Sequence, residues 1–89
     1  MAGNPDRLRA GFVEGISPGV LNQLMDDLLA VGVLNQGEKD HILEEHTIRA
    51  DRARDLFDTV RKKGYTSIDI MMERLQTRDP ALYNHLMPQ

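Results

Sequence analysis

Chemistry in this chain would have to come from His41, His46 and His85, or from the hydroxyls of Ser17, Ser67, Thr47 and Thr59, because there is no cysteine. His41 and His46 stand five residues apart, a spacing that does not align two ligands on one helix face as i, i+4 would. No metal site is expected, and surface or capping roles account for the histidines. The hydroxyls form no Gly-x-Ser-x-Gly elbow or other nucleophile signature. Gly32 to Gly37 followed by Glu38-Lys39 fails as a phosphate loop, which needs Lys directly after its second glycine and then Ser or Thr. An acyl-carrier attachment site needs Asp-Ser-Leu, and the nearest serine lies in Thr66-Ser67-Ile68. Met71 and Met72 read as core filler rather than as a groove. No catalytic residue, no cofactor and no metal ligand are expected.

Charge is what remains. The net charge is −3, unevenly laid out. From Asp26 to His46, six carboxylates (Asp26, Asp27, Glu38, Asp40, Glu44, Glu45) face only Lys39, a net −5. From Thr47 to Lys63, six cations (Arg49, Arg52, Arg54, Arg61, Lys62, Lys63) face Asp51, Asp55 and Asp58, a net +3. A dipolar chain suits a charge-complementary protein partner. Nucleic acid is an unsuitable partner: the chain is acidic overall, has no tryptophan and is only 4% aromatic. The absence of cysteine fits a reducing compartment. No apolar run approaches the roughly 20 residues of a membrane span. Met1 to Pro5 has no signal-peptide core and Gly3 is misplaced for myristoylation, so a cytoplasmic protein is expected.

The elements that carry these charges read as helix after helix, with no period-2 run of β-branched residues. Pro5 to Glu14 holds Leu8 and Phe12 at i, i+4, with Gly11 inviting a bend or break. Ser17 and Pro18 start a second helix to about Val31, striped by Leu21, Leu24, Met25, Leu28 and Leu29 and ended by Gly32 as a left-handed cap. Asn35 and Glu38 resemble a capping box for a short third helix through Glu45, anchored by Ile42 and Leu43. Thr47 is the expected cap of a fourth helix to about Lys63, with Ala50, Ala53, Leu56, Phe57 and Val60 on one face. Gly64 closes it. A fifth helix follows from about Thr66 to Gln76, with Ile68, Met71, Met72 and Leu75. A sixth starts at Asp79-Pro80, holds Leu82 and Leu86, and is stopped by Pro88. A single domain over residues 1–89 is expected.

Two stretches carry a family resemblance. Leu24-Met25-Asp26-Asp27-Leu28-Leu29, then Gly32-Val33-Leu34-Asn35 and Glu38, is similar to the second-to-third helix region of inflammatory-caspase prodomains. Thr47-Ile48-Arg49-Ala50-Asp51-Arg52-Ala53-Arg54-Asp55-Leu56-Phe57-Asp58-Thr59-Val60-Arg61-Lys62-Lys63-Gly64 resembles their fourth helix. The chain thus resembles a caspase-recruitment domain of the death-fold superfamily, from about Leu8 to Leu86. The resemblance implies an all-α, six-helix antiparallel Greek-key bundle with the first helix broken in two. It also implies homotypic assembly, often into filaments, in innate immune signalling.

The resemblance further implies two interaction patches. Asp26, Asp27, Glu38 and Asp40 form the acidic one. Arg7, Arg9, Arg49, Arg52 and Arg61 form the basic one, with Arg54 set aside because Asp58 lies four residues on and Arg52 shadowed by Asp55 three residues on. Partners would be a caspase-recruitment adaptor, sensor or caspase, or further copies of the chain. Two alternatives stay open here: a decoy that caps assemblies, and a lipopolysaccharide receptor working through Arg61, Lys62 and Lys63. After Gly64 the chain departs from several relatives: Tyr65-Thr66-Ser67-Ile68-Asp69-Ile70-Met71-Met72 stands where they carry cysteines and smaller residues.

Overall fold

The computed structural model describes residues 5–87. Met1 to Asn4 and Pro88, the expected stop of the last helix, lie outside the described residues. Six helices follow one another: α1 Pro5–Gly15, α2 Pro18–Ala30, α3 Gln36–Glu45, α4 Arg49–Arg61, α5 Tyr65–Arg78 and α6 Pro80–Leu86. No strand occurs among the described residues.

Local chemistry sets most of the boundaries. The Ser17 hydroxyl accepts from the Val20 N–H and Pro18 occupies the first turn of α2. Ile16, one residue before that cap, and Leu21, four after it, are both buried, at the two positions of a hydrophobic staple. At the other end of α2, Gly32 adopts φ +81°. The Val33 N–H reaches back to the Leu28 carbonyl and the Gly32 N–H to that of Leu29, which is a Schellman motif. The Asn35/Glu38 capping box is complete, with hydrogen bonds of 2.8 and 2.9 Å. Asp79 caps α6 by accepting from the Leu82 N–H.

Two boundary expectations are corrected. Thr47 does not cap α4. The cap position falls on Ile48, which makes no side-chain cap bond. The first helix is continuous through Gly11 rather than broken there. Gly11 and Gly15 serve close approach instead: a Cβ at either position would run into the side chain of Leu86 or Leu82 on α6. α6 therefore lies antiparallel against α1, with the two glycines forming the floor of its seat.

Helices distant in sequence are neighbours. α1 packs on α4 and α6, and α2 on α5. Between them sits one apolar cluster including Phe12, Leu24, Leu28, Leu56, Phe57, Met71 and Leu75. The rings of Phe12 and Phe57 meet in a tilted arrangement at 5.5 Å. No polar or charged side chain is buried among the described residues.

Candidate functional site

The surface charges were expected to sort into one acidic and one basic patch. Each is best judged by what already holds it. Asp27 is largely enclosed, its side chain 12% exposed. It accepts two hydrogen bonds of 2.8 Å from Arg78 and a longer one of 3.4 Å from Arg74, both on α5. The Arg78 bonds hold its carboxyl below the usual carboxylate range against the opposing pull of burial. Asp27 is thus a strut between α2 and α5. Asp26 behaves differently: it accepts from Lys39 at 2.6 Å, yet its side chain stays 64% exposed. Glu38 completes the capping box and also accepts from Lys63 at 2.6 Å, which lowers its proton affinity. Asp40 is exposed and accepts from Gln36.

The basic set divides in the same way. Arg49 donates to the carbonyls of Val13 and Ile16, at the end of α1. Arg52 donates to those of His46 and Leu43, at the end of α3. One turn of α4 thus supplies the C-terminal plugs of two other helices, where cations are favoured by the helix dipole. Both guanidinium groups are engaged within the bundle and are half-buried. The sequence did contain a signal for this: neither α1 nor α3 has a basic residue in its last turn.

The helical-spacing rule also named wrong partners. Arg54 pairs with Asp51, three residues before it, and not with Asp58. Asp58 instead accepts a bidentate pair of bonds from Arg9 on α1, at 2.8 and 2.9 Å, which lowers its proton affinity and raises that of Arg9. Asp55, the expected neighbour of Arg52, meets His46 at 2.9 Å and His41 at 3.8 Å. The two histidines do converge, on a residue of α4, because His46 caps α3 in extended conformation. Among the described residues no group of side chains fit to hold a metal ion is found.

Antiparallel packing of α1 on α4 brings the α1 start to the α4 end. There Arg61 lies 3.6 Å from Asp6, and Arg7 and Arg9 are on the adjoining helix. Of the expected lipid-contact triad, Lys63 is engaged with the Val33 carbonyl and Glu38, and Arg61 with Asp6. Lys62 is exposed, and its charge adds to the lowering of the proton affinity of Asp58. The groove beside it, about 470 Å³, is lined by Glu38 and Asp55 as well as by Lys62 and Lys63. It favours neither sign of ligand.

Comparison with known proteins agrees with this architecture. The family model of the caspase recruitment domain matches residues 5–89. Caspase-1-B of Xenopus laevis is 35% identical over 86 residues, 97% of this chain and 22% of that protein. Caspase-1 of Mus musculus is 39% identical over 71 residues, 80% of this chain and 18% of that protein. Baculoviral IAP repeat-containing protein 3 of Homo sapiens is 33% identical over 66 residues, 74% of this chain and 11% of that protein. The chain therefore spans about a fifth or less of the relatives' own length. No solved structure gives a significant match.

Proposed function

This chain belongs to the caspase recruitment domain family, and from that premise we propose that it is a homotypic interaction module that recruits or oligomerises a caspase in cytoplasmic innate immune signalling. Its partners would be an adaptor, sensor or caspase carrying a domain of the same type, or further copies of itself. Such a module acts by proximity: docking raises the effective concentration of whatever is fused to it.

The supporting observation is that exposed charge of opposite sign is carried by different helix pairs of one rigid bundle. Asp26 and Asp40 stand on α2 and α3, and Arg7 and Arg61 at the meeting of α1 and α4. Contact between unlike faces is heterologous, so it propagates into rings or open helices. Exposed pairs such as Lys39–Asp26 contribute little to folding and exchange readily for intermolecular ones. Asp27, Arg49 and Arg52, which hold helices together, make a smaller contribution to docking in this reading than Asp26, Asp40, Arg7 and Arg61.

The test compares wild type with Asp26→Lys/Asp40→Lys and with Arg7→Glu/Arg61→Glu by light scattering and electron microscopy, after circular dichroism confirms helicity. Wild type assembles, each folded variant alone does not, and an equimolar mixture of the two regains pairing. Wild type that binds a seed of related domains but stops growth is a decoy. Assembly unchanged in both variants sinks the two-face reading.

A further inference from the structure

The turn between α1 and α2 pairs a hydroxyl with a following proline. Ser17-Pro18 is the one place in the chain where a serine or threonine precedes a proline. Ser17, Pro18 and Gly19 are all exposed. The backbone at Ser17 is extended, with φ −79° and ψ 158°, close to polyproline II geometry. Its Oγ accepts from the Val20 N–H, which leaves the hydroxyl's own hydrogen unspent on that bond. Other hydroxyls are donors within the fold: Thr59 donates to Asp55, and Thr77 to the Glu73 carbonyl. Arg49 reaches the same turn from α4. Its Nη1 makes both bonds to the Val13 and Ile16 carbonyls, and the Ile16 carbonyl belongs to the peptide that leads into Ser17. The Nε and Nη2 donors of that fork are left for a further acceptor.

We propose that Ser17 is a phosphorylation site for a proline-directed serine/threonine kinase, and that its phosphate locks the α1–α2–α4 corner by engaging Arg49. A kinase of that class selects, after the acceptor, a residue with a fixed φ and no N–H. It brings ATP and Mg²⁺ with it. The Ser17 Oγ attacks the γ-phosphorus, and the new O–P bond replaces the bond from that phosphorus to the β,γ-bridging oxygen. The hydroxyl proton passes to the kinase's general base, and ADP leaves. The product carries about two negative charges and strong acceptor oxygens. Negative charge suits the start of a helix, so α2 tolerates the modification. A guanidinium bonds an ionised phosphate more strongly than a neutral carbonyl, and its planar fork fits two phosphate oxygens. The effect is local. Ser17 lies about 15 Å along α1 from Arg7, beyond the Debye length of about 8 Å at physiological ionic strength. The lock therefore leaves the charges of the two faces as they are, and it stands whether or not those faces dock.

Mass spectrometry tests the site on the folded domain after incubation with a purified proline-directed kinase and Mg-ATP. The expected result is a single phosphate on Ser17, none on Ser17→Ala, and a slower gain on Pro18→Ala. A peptide of residues 13–23 is the unfolded reference. Phosphorylation of the peptide but not of the folded domain overturns the site, as does a phosphate found only on other residues. Phosphorus NMR across pH tests the lock. A neighbouring guanidinium favours the dianion, so the phosphate titrates at lower pH in the domain than in the peptide. Arg49→Gln, checked for helicity, is expected to lose most of that difference. Should it unfold, Arg49→Lys, which keeps the charge but not the fork, is expected to show a smaller difference than wild type. Hydrogen exchange at the Val20 amide is expected to slow about 5-fold on phosphorylation. Titration that is the same in wild type and the Arg49 variant overturns the lock, and so does unchanged exchange at Val20.

Discussion

At the residue scale, the side chains that look like contact charges divide into those that bridge helices and those that face water. Arg52 illustrates the division. Its fork spans two carbonyls, Nε to His46 at 2.6 Å and Nη2 to Leu43 at 3.0 Å, which a lysine ammonium on a flexible stem does not reproduce. Arg52→Lys keeps the charge but loses one of these bonds. It is expected to cost about 1–2 kcal/mol, read as a lowered urea midpoint with unchanged slope. A purely electrostatic surface role for Arg52 would leave that midpoint in place. Asp27 belongs to the same class: its two arginine partners lie 47 and 51 residues away in sequence, and its substitution reports on the α2–α5 junction before it reports on docking.

At the element scale, the turns decide how the charged faces are presented. The α2 end is closed by a left-handed glycine with its Schellman bonds, and the α4–α5 turn by Gly64. That second turn has no side-chain cap on α5 and holds Gly64 at φ +108°, ψ 176°, a region that residues with a Cβ rarely occupy. Gly64→Ala is expected to destabilise the domain by about 1–3 kcal/mol. Hydrogen exchange should show faster opening first at the end of α4 and the start of α5. Uniform acceleration across all six helices would mean that the turn is no weaker than the bundle. The glycines of α1 act in another way, by leaving room for Leu82 and Leu86. For this reason Gly11, read in the sequence as a bend or break, is a packing site in a helix that runs on without a break.

At the scale of the whole molecule, three carboxylates link stability to pH. Asp27, Glu38 and Asp58 each have a lowered proton affinity, chiefly from hydrogen bonds to Arg78, Lys63 and Arg9 respectively. Their pKa values are lower folded than unfolded. Between the two values the unfolded chain binds more protons, and stability rises with pH. The contribution is present above the unfolded values near about 4. It is lost as pH falls through the folded ones. The urea midpoint is therefore expected to be level from neutrality to about pH 5 and to drop below about pH 4. Asp27→Asn/Asp58→Asn should start less stable at neutral pH and lose less on acidification. An equal acid slope in wild type and variant would show that these bridges do not couple to folding.

What the sequence determined by itself is what depends on neighbours along the chain. Ser17, Asn35 with Glu38, and Asp79 each bond within three residues, so spacing alone announced them. The stripes of Leu21, Leu24, Met25, Leu28 and Leu29, and of Ala50, Ala53, Leu56, Phe57 and Val60, follow from the helical period; eight of these ten are buried, and Leu29 and Ala50 are half-buried. Ile16, read as turn, is buried as well, because a cap and its staple pull the preceding residue inward. Only the tertiary structure decided which charges stay free. Arg9 finds Asp58 49 residues away and Arg49 finds the end of α1, while Asp69 and Glu73 stay exposed on α5. The reason is geometric. A long charged side chain reaches several angstroms in any direction, and its partner is set by how two helices are rotated against each other, which no local spacing records.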